Sequence, residues 1–227
     1  MLKAFRKRLE NSETLAAFLA GLAARYLGVC ERTTKWTIIG RDDLVAATQD
    51  GPVLVVMWHE RSIMGALHWP AGAGPLSSLY ANSPIGRVSG ALQRRMGLLP
   101  MQMSDRTSNV AASRAVLKRA REGVSIALTG DGPLGPAMAL KDAPLEWARV
   151  TGMPVFAYAF STRRFRTLDT WDRMMVPRPF GQGAKVYRRF EAGIPRKMDD
   201  ADREALRSRF ADFLTETMAE ADGLARG

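Results

Sequence analysis

Cysteine and histidine are almost missing from this sequence. Its 227 residues hold one cysteine, Cys30, and two histidines, His59 and His68. A single cysteine excludes an intramolecular disulfide framework and any cysteine-based zinc cluster. Two histidines are too few for a multi-histidine metal centre, so no metal is expected. A reducing, cytosol-facing compartment is the default. Acidic residues are in deficit as well: 23 Asp+Glu stand against 33 Lys+Arg, for a formal net charge of +10. That excess implies an anionic partner without choosing among nucleic acid, lipid headgroups and an acidic carrier protein. The apolar stretch from Thr14 to Leu27 (TLAAFLAGLAARYL) is interrupted by Arg25. It reads as shorter than the roughly 20 apolar residues a spanning helix needs. Internal repeats, low-complexity tracts and an interdomain linker are also lacking.

What is present suits a folded domain. At 46% hydrophobic and 25% charged, the chain is neither disordered nor an ordinary polytopic membrane protein. Its length fits one domain, or a compact domain with an added terminal helix. Residues 1–30 read as a basic and apolar helical segment, and 31–227 as the main domain. The start, MLKAFRKRLE, has the basic character of a signal peptide. Glu10, Asn11 and Glu13 separate it from the apolar part, however, and no small-x-small cleavage site follows. An amphipathic helix on a membrane surface fits better, with Lys3, Arg6, Lys7 and Arg8 toward anionic headgroups. A soluble helix packed on the domain fits the pattern equally.

From Lys35 onward, strand and helix signals alternate. Lys35–Ile39 and Val53–Trp58 are short runs rich in β-branched residues, the second reading as a buried parallel strand. Asp42–Gln49 between them reads as a short helix with acidic residues in its first turn. Ser83, Pro84 and Gly97 supply an N-cap, a proline at the first helical position and a C-terminal glycine. Ser108 or Asn109 caps another helix, which stops at Gly123. Val124–Thr129 is a strand, Asp142 opens a helix ending near Gly152, and Pro154–Phe160 is a buried strand. Lys185–Phe190 alternates like a more exposed strand, and Asp199 or Asp200 opens a charged helix to about Ala221. The alternation predicts an α/β domain with a mixed, mostly parallel sheet flanked by helices.

Two strand ends carry chemistry, because ligands of open α/β sheets bind beyond the carboxyl ends of the strands. One runs into His59-Glu60-Arg61, the other into Gly130-Asp131-Gly132-Pro133-Leu134-Gly135-Pro136. An imidazole at a buried strand end has the pKa range of a general base. The second loop is stiffened by Gly and Pro and offers backbone N–H groups and the Asp131 carboxylate toward the same mouth. Each taken singly is more often a structural histidine or an ordinary turn.

The strings WHER (58–61), TGDGPLGP (129–136), PLEWARVTGMPVFAYAF (144–160) and LDTWDRMMVPRPF (168–180) resemble a bacterial family of the lysophospholipid acyltransferase superfamily, some members of which are late acyltransferases of lipid A. The resemblance covers about residues 35 to 195. It implies a glycerol-3-phosphate acyltransferase-like fold and transfer of a fatty acyl group from a thioester, acyl carrier protein or acyl-CoA, to a lipid hydroxyl. The acceptor class would be a lipid A precursor or lysophospholipid at the cytoplasmic face of the inner membrane, with no cofactor beyond the thioester donor. By the same resemblance His59 is the catalytic base, and Asp131, Gly132 and Pro133 form the acidic acceptor-binding motif. Pro154 falls in a mainly structural block. Trp171-Asp172 and Pro177–Phe180 match a family segment of unclear role, with Arg173 and Arg178 as phosphate contacts.

Three positions depart from the pattern. The wider superfamily has His-x4-Asp, in which the carboxylate orients the imidazole; here that position is Met64. Glu60 is a candidate second carboxylate, although adjacent side chains on a helix do not face each other. Asp131 or Asp105 are candidates from across the mouth. Gln102-Met103-Ser104 stands where the family has Arg-Gly-Ser, leaving Ser104 and Arg106 for the acceptor. Leu134 replaces an arginine. Arg61, Arg87 and Arg106 are the cations expected to hold acceptor phosphates, since guanidinium grips phosphate bidentately. The rival expectation is a non-catalytic or degenerate lipid-binding protein on the same fold. Nucleic-acid binding rests on charge alone and lacks a recognition motif.

Overall fold

A strand whose side chains are buried on both faces needs a helical layer on each side, and strand β2 (Leu54–Met57) shows how the chain meets that need. In the computed structural model, which describes residues 12–103 and 109–227, all four of its residues are buried. Leu54 and Val56, with Trp58 just beyond, join one apolar cluster, whereas Val53, Val55 and Met57 join another. The period of two thus sends alternate side chains into two cores.

The helices are α1 (Glu13–Thr33), α2 (Arg41–Asp50), α3 (Gly65–His68), α4 (Pro84–Arg95), α5 (Asn109–Arg121), α6 (Asp142–Thr151) and α7 (Asp200–Arg226). The strands are β1 (Lys35–Ile39), β2, β3 (Leu76–Ala81), β4 (Met101–Met103), β5 (Ser125–Thr129), β6 (Val155–Thr162), β7 (Phe165–Thr167), β8 (Met175–Pro177) and β9 (Gln182–Arg189). Seven strands form one sheet in the order β1-β9-β6-β2-β5-β3-β4, and β7 pairs with β8. The run β6-β2-β5-β3-β4 is parallel, β9 lies antiparallel to β6, and β1 is parallel to β9. The fold is α/β with a mixed, mostly parallel sheet flanked by helices, as the alternation predicts. Residues of α5, α6 and α7 fill one core; Leu27 of α1, Leu44 of α2 and Leu92 of α4 pack in the other.

The capping signals at Ser83 and Gly152 act as expected, while Ser108 lies outside the described residues. Ser83 accepts a hydrogen bond from the Gly86 amide at 3.0 Å, with Pro84 opening α4. Gly152 closes α6 at φ 68°, its amide donating to Ala148 O. The helix after Asp199 runs five residues past Ala221, to Arg226. The exposed strand expected at Lys185–Phe190 is corrected: β9 is buried from Gly183 to Tyr187, because α7 covers one of its faces and α2 lies against it. The length argument on the N-terminal segment is corrected too. Helix α1 extends to Thr33, well past Leu27, and is long and apolar enough, by length and composition, to cross a membrane. It packs on α4. Ala16, Ala20, Leu27 and Cys30 are buried, whereas Phe18, Leu19, Leu22, Tyr26 and Val29 remain exposed. Lys3, Arg6, Lys7 and Arg8 lie outside the described residues.

A buried polar cluster fastens α1 to the sheet. The His68 ring donates or accepts at 2.5 Å with Tyr158 Oη and meets Glu31 Oε2 at 2.9 Å. Lys185 Nζ donates to Glu31 Oε1, and Tyr187 Oη donates to the His68 carbonyl. Burial pushes His68 down to about 4, against the opposing pull of Glu31, so the ring is neutral at neutral pH. Burial raises the Glu31 carboxyl, but hydrogen bonds from His68 and Lys185 outweigh it and leave the group below its usual value.

Candidate active site

Parallel strands β2, β5 and β6 end at the same edge of the sheet. The chain leaving β2 turns at once into a single 3-10 turn, His59–Arg61, with the Arg61 amide donating to Trp58 O at 3.0 Å. The chain leaving β5 enters the Gly130–Pro136 loop. The chain leaving β6 passes through the β7–β8 hairpin, whose connection carries Trp171, Asp172 and Arg173.

Asp172 Oδ2 lies 2.6 Å from His59 Nδ1. The carboxylate is buried, with 3% of its surface exposed. Burial raises its pKa, but hydrogen bonds from Thr170 and from His59, with the His59 charge, outweigh burial and hold the group below its ordinary value. An ionised carboxylate only accepts, so Nδ1 carries the hydrogen. With the Nδ1 hydrogen held by Asp172, Nε2 is the nitrogen left to exchange a proton, on a side chain 27% exposed. Trp171 adds a second constraint. Its ring lies 5.1 Å from that of His59, tilted by 48°. It also rests on Gly135, where a Cβ would come within 2.5 Å of Trp171 Cε3. The glycine thus allows the aromatic wall to close over the DGPLGP loop.

Asp131 also reaches His59, at its main chain rather than its ring. It is 1% exposed, and its two oxygens accept from the His59 amide at 3.0 Å and the Met138 amide at 3.1 Å. Burial raises its pKa, partly offset by those two amides. Asp131 therefore fixes the main chain of His59 and the course of its own loop, while Asp172 fixes the ring. Gly132 has φ 68°, the left-handed conformation that turns the loop, and Pro133 is exposed.

Other candidates are redistributed. Arg61, expected to hold an acceptor phosphate, is only 4% exposed. Its Nη2 donates to Asp222 Oδ2 at 3.1 Å and its Nη1 to Phe160 O at 3.3 Å, while Glu60 Oε1 is 3.4 Å away. It is an internal brace between the 3-10 turn, β6 and α7, because burying a guanidinium requires that its charge be matched within the fold. Glu60 makes that ion pair; burial raises its pKa, with Arg61 opposing. Met64 is fully buried in the core. Arg87 lies in the first turn of α4. Ser104, Asp105 and Arg106 lie outside the described residues. Reading along the sequence missed Asp172 as the partner of the imidazole. The available signal was the Trp171-Asp172 pair in a segment of unclear role, together with the vacant fifth position after His59.

Fold and site together define an α/β protein with a histidine–aspartate pair at the carboxyl edge of a mixed sheet. No family model matches the chain. An uncharacterized protein of Rickettsia prowazekii (strain Madrid E) is 26% identical over 184 residues, 80% of this chain and 84% of that protein. No group of three or more His, Cys, Asp or Glu suited to a metal ion occurs among the described residues.

Proposed function

We propose that the protein is an O-acyltransferase of glycerol-3-phosphate acyltransferase-like fold, working at the cytoplasmic face of the inner membrane. It moves a fatty acyl group from a thioester of acyl carrier protein or coenzyme A to a hydroxyl of a phosphorylated membrane lipid, a lipid A precursor or lysophospholipid. The observation that carries the reading is the 2.6 Å contact between His59 Nδ1 and Asp172.

The chemistry follows from that contact. Nε2 takes the proton of the acceptor hydroxyl as its oxygen attacks the thioester carbonyl carbon. The imidazolium formed is stabilised by Asp172, as in other carboxylate–histidine pairs. The tetrahedral intermediate collapses by breaking the carbon–sulfur bond, and the thiolate leaves with the proton from Nε2. Product ester and free thiol balance the reaction, and no metal or redox group takes part. Arg173, exposed beside Asp172, is the cation nearest the pair along the chain for an acceptor phosphate.

Lipid mass spectrometry of cells with and without the gene, repeated with His59→Ala, tests the proposal. A lipid lacking one acyl group in both the deletion and the variant names the acceptor. An unchanged lipid profile in the deletion overturns the enzyme reading in favour of a non-catalytic lipid-binding protein.

A further inference from the structure

The segment between β6 and β9 holds the densest exposed mixture of arginine and aromatic residues among the described residues. Residues 163–180 read RRFRTLDTWDRMMVPRPF, in which all five arginines are exposed. Of the two acidic residues there, Asp172 is buried and paired with His59. Phe165, Trp171 and Phe180 are 44%, 42% and 70% exposed. Phe180 is held outward at φ 61°, its amide donating to Thr33 Oγ1 at 3.0 Å at the end of α1. The hairpin also adjoins α1 where Tyr26 Oη donates to Pro177 O at 2.8 Å. The uncovered side of α1, with Phe18, Leu22 and Tyr26 exposed, therefore runs up to the hairpin.

We infer that the β7–β8 hairpin, continuous with the uncovered side of α1, is the surface by which this protein docks on an anionic lipid bilayer, and that it carries the His59–Asp172 pair to the headgroup level. One feature selects a bilayer over nucleic acid. Arginines interleaved with aromatic rings suit either partner. The exposed apolar face of α1 beside them, with Leu19, Leu22 and Val29 as well as Phe18, has a place among acyl chains and none on a phosphodiester backbone. Asp172 sits within this segment, so seating the hairpin at the interface also sets where the site meets a lipid acceptor. The inference deepens the lipid-acceptor reading and rests on it for its meaning, while the docking itself is measured without catalysis.

The experiment uses the full chain with vesicles of phosphatidylcholine, with and without phosphatidylglycerol. Co-sedimentation reads binding, and quenching by brominated acyl chains reads depth, the share lost in Trp171→Phe being that of Trp171. Binding to the anionic vesicles that weakens with salt, together with quenching of Trp171, is expected. Each arginine near such a surface contributes roughly fivefold to partitioning, so Arg163→Gln with Arg166→Gln should weaken binding on the order of 25-fold. Phe180→Asn, which tolerates the positive φ, should reduce quenching without unfolding the protein. Vesicle binding unchanged in the arginine variant, with Trp171 unquenched, overturns the docking surface. So does tight binding of single-stranded RNA through the same arginines with no vesicle binding. The catalytic reading fails separately, when His59→Ala transfers acyl groups at the wild-type rate.

Discussion

Asp172 grips the His59 ring at 2.6 Å across 113 residues of sequence, while Asp131 grips the same residue by its main-chain amide at 3.0 Å. Two carboxylates, one from the loop after β5 and one from the β7–β8 connection, thus divide one task. One sets where the histidine backbone lies, and the other sets the tautomer and orientation of its imidazole.

For the proposed reaction, this division predicts different losses from the two aspartates. Asp172→Asn should keep the fold and lower kcat by about 10²–10⁴-fold, close to the loss from His59→Ala. The double variant should be scarcely slower than either single one, since the pair acts as a unit. Asp131→Asn, which removes one anchor of the loop, should lower thermal stability as well as rate. Steady-state kinetics beside thermal melts separate the two patterns. Independent, multiplying losses for His59 and Asp172 would count against a coupled pair.

Gly135 tests the aromatic wall. A Cβ there would meet Trp171 Cε3 at 2.5 Å on a backbone at φ 67°. Gly135→Ala should cost about 1–3 kcal/mol of stability and swing Trp171 away from His59. A shift in Trp171 fluorescence, with a drop in rate of the proposed transfer, is the expected result.

Arg61 should behave as a structural residue. Arg61→Ala leaves Asp222 and Glu60 without their partner in a largely buried setting and should cost about 3–5 kcal/mol. Replacement by Met should cost less, because its bulk refills the space. In the proposed reaction, KM for the acceptor should stay near that of the wild type in either folded variant.

His68 predicts a pH dependence of stability. Its folded pKa lies near 4, below the ordinary value of 6.5, so the unfolded chain binds the proton first. Stability is therefore full above pH 6.5 and falls as pH is lowered from there toward 4, by about 3 kcal/mol. Glu31, held below its usual value, adds a loss of the same sign at the acid end as it protonates. Melting temperatures recorded between pH 7.5 and 4.5 should fall for the wild type and change less for His68→Gln. A flat profile in the wild type would contradict the neutral, buried assignment.

Element order is legible in the sequence wherever local physics decides it. Ser83 and Pro84 start α4, Gly152 stops α6, and the apolar run before His59 is a buried strand. Composition narrows the imidazoles to two, and the fold then closes His68 into the core, leaving His59 as the accessible one. Burial of a given strand is less legible: β9 alternates like a surface strand, yet α7 lies over it, and packing across the sheet leaves no mark in local periodicity.

The partner of the imidazole is the plainest case. Along the chain, the nearby carboxylates Glu60, Asp105 and Asp131 are the natural choices, and Asp172 is remote. A parallel sheet overrides that ordering, because it brings the carboxyl ends of β2, β5 and β6 to one edge whatever their separation in sequence. Arg61 shows the converse, a cation next to the histidine in sequence that the fold turns inward to Asp222. Capping, periodicity and composition act over a few residues and can be read from the sequence. Which carboxylate meets the histidine, and which arginines face outward, depends on how strand ends converge and on which charges must be matched in the interior, and only the folded chain decides that.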